Sequence, residues 1–169
     1  AVIYPNQVVF DSLINWIDHT SPEVRLYSGT ATYTNHFTFT PKDNQLVILD
    51  LGDVKNLATV FVNGSNWPFV ETSFSGRYID FVKDGKNKIE IQVTNTAINR
   101  LIGDEQYLLD VDVEYKWDGQ ALAKFPQWLY HPEDRPSQRT TFVSHRIYDK
   151  DLDLESSGLF GPVVVEVRK

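Results

Sequence analysis

Apolar and polar residues alternate with a period of two through the middle of the chain, in ATYTNHFTF (31–39), QLVILDL (45–51), ATVFVNG (58–64) and KIEIQV (88–93). Successive side chains of a strand point to opposite faces, so each run predicts a strand with one buried face. Turn formers separate the runs: Pro41-Lys42-Asp43-Asn44, Leu51-Gly52-Asp53, Asn63-Gly64 and Lys83-Asp84-Gly85-Lys86. These residue types preset a turn or tolerate positive φ. About ten residues per strand is the spacing of a sandwich or barrel rather than of βαβ units. Leu109, Val111, Val113 and Tyr115 alternate with Asp110, Asp112 and Glu114 and predict a further strand, and 161–168 predicts the last. One short helix is expected over 11–17, with Asp11 as cap and Leu13, Ile14 and Ile17 on one face.

Two stretches break the pattern. TNTAINRLIGDEQ (94–106) follows the 88–93 strand and gathers two asparagines, an arginine, a glycine and two acids. Asn95 and Asn99 are suited to closing Asx turns, Arg100 and Asp104 are spaced to pair, and Gly103 gives backbone freedom between them, so the stretch reads as a structural corner. The 118–157 segment holds Pro126, Pro132, Pro136, Trp128, Tyr130, Arg135 and Arg139, with little alternation before Thr140. So long an irregular stretch in a compact domain is expected to be functional or to pack against something.

Composition narrows the function classes. The chain has 169 residues, 41% of them hydrophobic, and carries 16 basic against 23 acidic side chains, a net charge of −7. That size predicts a single domain over 1–169, able to bury a core without staples. No Lys/Arg cluster offers a phosphate footprint, so nucleic acid is not an expected partner. VVVEV (163–167) is far short of the roughly 20 apolar residues of a spanning helix, so membrane insertion is not expected either. The absence of cysteine removes disulfides, thiolate metal sites and cysteine nucleophiles. The chain contains no methionine and opens on Ala1-Val2-Ile3, so it is expected to be a fragment or processed product from which a signal peptide could have been removed.

Candidate chemistry is sparse. Asp149, Asp151, Asp153 and Glu155 have the alternation of a calcium loop, but Leu154 and Phe160 stand where an EF-type loop needs Gly and Glu. No cofactor is expected, and a structural calcium held by separated segments stays open. Asp110, Asp112 and Glu114 could supply paired carboxylates for glycoside hydrolysis, although acids at i, i+2 and i+4 also mark any solvated sheet face. His19, His36, His131 and His145 show no metal-ligand spacing, and no GxSxG is present. Trp67, Trp117, Trp128 and Tyr130 fall out of phase with the strands. They either stack on sugar rings beside Asn, Asp and Arg partners or fill the core or an interface.

The order of the motifs is more specific than any one of them. SGTATY (28–33), LDLGDV (49–54), ATVFVNG (58–64), GKNKIEIQVTN (85–95), NRLIGDEQ (99–106), RTTF (139–142) and SGLFGPV (157–163) follow one another. The series resembles the C-terminal β-sandwich domain of large bacterial glycoside hydrolases, of the α-L-rhamnosidase family 106 type related to the family 2 sugar-binding domain. It covers the chain from about Phe10 to Val167. SNWPFVETSFSG departs from the Gly-x-x-Trp and paired prolines usual after the VNG in that family. The resemblance implies an all-β, galactose-binding-domain-like jelly roll. Such a domain is a non-catalytic accessory module of a glycoside hydrolase secreted to the periplasm or outside the cell. Its expected partners are carbohydrate and the catalytic domain of the same parent chain. Catalytic carboxylates then lie elsewhere, and no catalytic residue is carried over. Asn99, Arg100, Gly103 and Asp104 match the family's NRLIGD, Arg139 and Phe142 its R-x-T-F, and Ser157, Gly158, Gly161 and Pro162 its closing motif. The candidate carbohydrate-binding residues are Trp67, Arg100, Asp104, Trp117, Trp128, Tyr130 and Arg139. Two rivals remain: an autonomous glycosidase working through the 109–115 strand, and a purely structural interdomain module.

Overall fold

The structure, a computed structural model, describes residues 5–40, 42, 45–71, 77–79, 81–107, 113–116 and 119–168, without the side chains of 67–71 and 77–78. Its strands are β1 (Thr30–Phe39), β2 (Leu46–Asp50), β3 (Asp53–Lys55), β4 (Leu57–Val62), β5 (Ser65–Glu71), β6 (Arg77–Tyr78), β7 (Gly85–Thr94), β8 (Glu114–Tyr115), β9 (Leu122–Lys124), β10 (Gly158–Gly161) and β11 (Val164–Arg168). Two short helices, α1 (Pro22–Arg25) and α2 (Ile98–Asp104), and three 3-10 turns complete the order.

The strands form an antiparallel four-stranded sheet in the order β1-β7-β4-β5 and a three-stranded sheet in the order β11-β2-β6, with the small ribbons β10-β3 and β8-β9 beside them. One apolar cluster joins the two sheets: Ala58, Val60 and Val62 from β4 and Ile89, Ile91 and Val93 from β7 meet Val47 and Leu49 from β2, with Leu51, Val54 and Leu159. Those buried positions are every second residue, as the alternation requires, and the result is the expected all-β sandwich. Asn87 stands on the inner face of β7 yet is fully buried, because it is a turn clamp. Its Oδ1 accepts from Lys83 N (2.9 Å) and its Nδ2 donates to Lys83 O (2.9 Å) and Gly85 O (3.0 Å).

Three expectations are corrected. The 11–17 helix is a 3-10 turn at Trp16–Asp18 capped by Asn15, not Asp11. Asn15 Oδ1 accepts from Ile17 N and also from Ser157 N (3.0 Å), while Phe10 and Leu13 pack on the core. The strand over 161–168 divides into β10 and β11 because Pro162, which has no N–H to give a ladder, stands between them. The 94–106 corner contains a helix, and its asparagines close no Asx turns. Of the expected 109–115 strand, Asp110 and Asp112 lie outside the described residues, and Glu114–Tyr115 forms β8.

Candidate functional site

α2 leaves the end of β7 and buries Asn99, Arg100, Ile102, Gly103 and Asp104. A helix with so polar a buried face must find partners for each group. Asp104, at 0% exposure, accepts from Thr140 N (2.9 Å), Thr141 N (2.6 Å) and Thr141 Oγ1 (2.7 Å). The Arg100 guanidinium, 3% exposed, lies 2.9 Å from Asp104 Oδ1 as an ion pair whose N–H groups are not aligned for a hydrogen bond. The expected Arg100–Asp104 pair therefore exists, one helical turn apart. Next to it, the buried Glu105 carboxylate takes Arg139 on one oxygen and Arg146 on the other. Arg139 Nη1 also donates to Tyr107 O (3.2 Å). These bonds tie α2 to 139–146 and consume the polar atoms that a sugar would need.

The other half of the corner is a clamp on three chain segments. Asn95 accepts from Gly29 N (2.9 Å) and donates to Tyr27 O (2.7 Å). Asn99 donates to Glu155 O and accepts from Glu155 N, both at 2.7 Å, and reaches Ser157 Oγ at 3.2 Å. Both asparagines thus satisfy remote backbone in place of their own, which a sequence window cannot show.

Trp128 belongs to the same block. It is 6% exposed, meets Phe142 edge-on (centroids 5.3 Å, interplanar 89°) and carries the Arg135 guanidinium 4.4 Å over its ring. The cavity among Val113, Tyr115, Arg135, Arg139, Thr141, Phe142 and Val143 is about 10 Å³, room for one water and not for a sugar. Four of the predicted site residues, Arg100, Asp104, Trp128 and Arg139, are thus parts of a packed structural block. Tyr130 stands apart at 73% exposure. Trp117 and the Trp67 side chain lie outside the described residues.

Metal chemistry finds little support among the described residues. His131, Glu133 and Asp134 place ligand atoms within 4.8 Å of one another, but all three are exposed. A hard cation takes six or more oxygens. In the 149–155 stretch, Glu155 is held by Thr96 Oγ1 (3.0 Å) and Asp149 accepts from Asp151 N (3.0 Å).

One opening was not foreseen. A cleft of about 970 Å³ lies between the extended 5–10 segment and the inner face of β1, with Ile89, Ile91, Leu159, Val163 and Val165 among its lining. Tyr33 sits in it. Its hydroxyl accepts from Trp16 Nε1 (2.6 Å) and Leu159 N (3.3 Å), and burial pushes its pKa up. Glu23, the acid among the described lining residues, is half-buried and held below the usual carboxylate range by its bond from Ser21 Oγ. Tyr33 and Phe37 stand in phase with β1, so the alternation marked them as core and gave no hint of a cavity.

No family model matches the chain. A protein named "Putative beta-glucuronidase" from Formosa agariphila is 40% identical over 169 residues, spanning 96% of this chain and 14% of its own length. The solved structure of a rhamnosidase from Novosphingobium sp. PP1Y superposes with a TM-score of 0.70 at 29% identity, over 96% of this chain and 13% of that one. The fold expected from the motif series therefore recurs in a rhamnosidase. The chain is similar, along nearly all of its length, to a domain-sized share of much larger glycosidase-like proteins.

Proposed function

We propose that the chain is a non-catalytic accessory domain of a larger secreted glycoside hydrolase, and that its irregular 118–157 face packs on the rest of the parent protein. The observation that carries this reading is the fate of the buried carboxylates. Asp104 and Glu105 are consumed by Thr140, Thr141, Arg139 and Arg146, and the cleft offers Glu23 alone among its described residues. Glycoside hydrolysis ordinarily requires two carboxyl groups facing one bond. The small share of each relative that the chain spans supports the same reading.

The docking face follows from exposure. Phe125, Tyr130, Ile147 and Leu152, all in the irregular segment, are large apolar residues left open to solvent, and where such residues adjoin they form the kind of surface a partner covers. Asp104 and Glu105 tie the 139–146 part of that segment to the corner after β7. Carbohydrate contact is the finer part of the proposal and rests on Tyr130, the candidate aromatic presented to solvent among the described ones. The jelly-roll and galactose-binding-domain likeness belongs to this reading as well, as does export of the parent.

The test is kcat of the parent protein on aryl α-L-rhamnosides and β-D-glucuronides after the joint change Glu23→Gln, Glu133→Gln and Asp134→Asn. Activity within twofold of the parent is expected. A loss beyond a hundredfold would assign catalysis to this domain.

A further inference from the structure

We propose that the cleft between β1 and β11 receives an extended stretch of the parent polypeptide, from outside residues 1–169, as one more strand of the sandwich. The proposal rests on the accessory-domain reading, in which the chain is one part of a longer one.

The first observation is a mismatch between the sheets. Among the described residues four strands face three, and β1 and β11 are the edges of their sheets. On β7 the inner residues Ile89, Ile91 and Val93 are buried, whereas on β1 the inner residues Ala31, Tyr33 and Phe37 are only half-buried and Asn35 is exposed. β7 has sheet opposite it; among the described residues β1 faces the 5–10 segment, Trp16 and Leu159, and Val9 of that segment is 80% exposed. A strand added beside β11 would lie over β1.

The second observation is size. Strand rise, strand spacing and sheet separation together give each residue of a packed strand about 160 Å³. The cleft of about 970 Å³ then matches about six residues, an ordinary strand.

The third is the chemistry of the rim. β1 pairs with β7 at every position from Thr30 to Phe39, without bulge or proline, and no other described strand pairs with it. Five-residue β11 likewise pairs only with β2 among the described residues. Alternate N–H and C=O groups of each edge are thus offered outward, a row that another backbone satisfies in register and a sugar or lipid does not. The floor of Ile89, Ile91, Val163 and Val165 suits a strand with one apolar face. Since the chain spans 13–14% of the proteins it resembles, a tethered segment would face little entropic cost in reaching the site.

The test uses the parent protein. A photo-crosslinking phenylalanine analogue at Phe37 is activated and the linked peptide sequenced by mass spectrometry, and amide exchange is followed across Val164–Arg168. The expected result is one intramolecular crosslink to a stretch outside 1–169, with every amide of β11 slowed at least a hundredfold. Alternating protection, a crosslink only to residues within 1–169, no crosslink, or a crosslink between two copies overturns the proposal. Exchange requires no substitution, so a misfolded variant does not decide the outcome. Failure here leaves kcat of the carboxamide variant, and with it the accessory-domain reading, untouched.

Discussion

Replacing Asp104 by alanine removes the acceptor for two backbone N–H groups and two hydroxyls, and the ion-pair partner of one guanidinium, in a place that water does not reach. An unpartnered buried charge such as Arg100 costs about 3–5 kcal/mol, and each orphaned buried N–H about 1–3 kcal/mol. The terms share one carboxylate and do not add in full, so about 4 kcal/mol is expected. For a domain of this size that lowers Tm by about 8–16 °C. Urea unfolding of the chain, followed by tryptophan fluorescence, reads the change as a fall in midpoint at constant slope. The double change Arg100→Met with Asp104→Ala removes the stranded charge and should recover part of the loss, because a buried pair replaced by apolar groups is often near neutral. A loss below about 1 kcal/mol for Asp104→Ala, or no recovery in the double variant, would refute a buried pin at α2.

Further outcomes follow from the same coordinates. Trp128→Ala should cost about 3–5 kcal/mol in urea unfolding and Tyr130→Ala less than about 0.5, since one ring is packed and the other exposed. Gly158→Ala should destabilise by at least about 2 kcal/mol, because φ is +108° and the new Cβ would stand 2.6 Å from Trp16 Nε1. Tyr33 has a folded pKa above its unfolded one, so above pH ~10 the unfolded chain releases a proton that the folded chain keeps, and stability falls as pH rises from there. Unfolding free energy measured between pH 9 and 11 should decline less steeply in Tyr33→Phe.

The strands were legible wherever one face is core and the other water. β1, β2, β4 and β7 fall within two or three residues of the runs that predict them, because period-two burial is what the alternation encodes. α2 was not legible as a helix. Besides Ile102 its buried face is Asn99, Arg100, Gly103 and Asp104, polar where the amphipathic rule expects apolar, and the partners of Asn99 and Asp104 that make this tolerable are 36 to 58 residues away. The Arg100–Asp104 pair could be read from its spacing, whereas Glu105 joining Arg139 and Arg146 depended on how the irregular segment folds back. The phase of Trp128 left sugar platform and core or interface both open, and it belongs to a small core of its own with Phe142 and Arg135. The cleft left no sequence signal, because the residues on its walls are those of an ordinary strand.

The most direct measurement is hydrolysis of a panel of aryl glycosides by the isolated 169-residue chain and by the parent protein under the same conditions. Turnover by the parent and none by the folded chain is the expected result for an accessory domain. Turnover by the chain itself, abolished by Glu23→Gln, would contradict it and place an active site in the cleft.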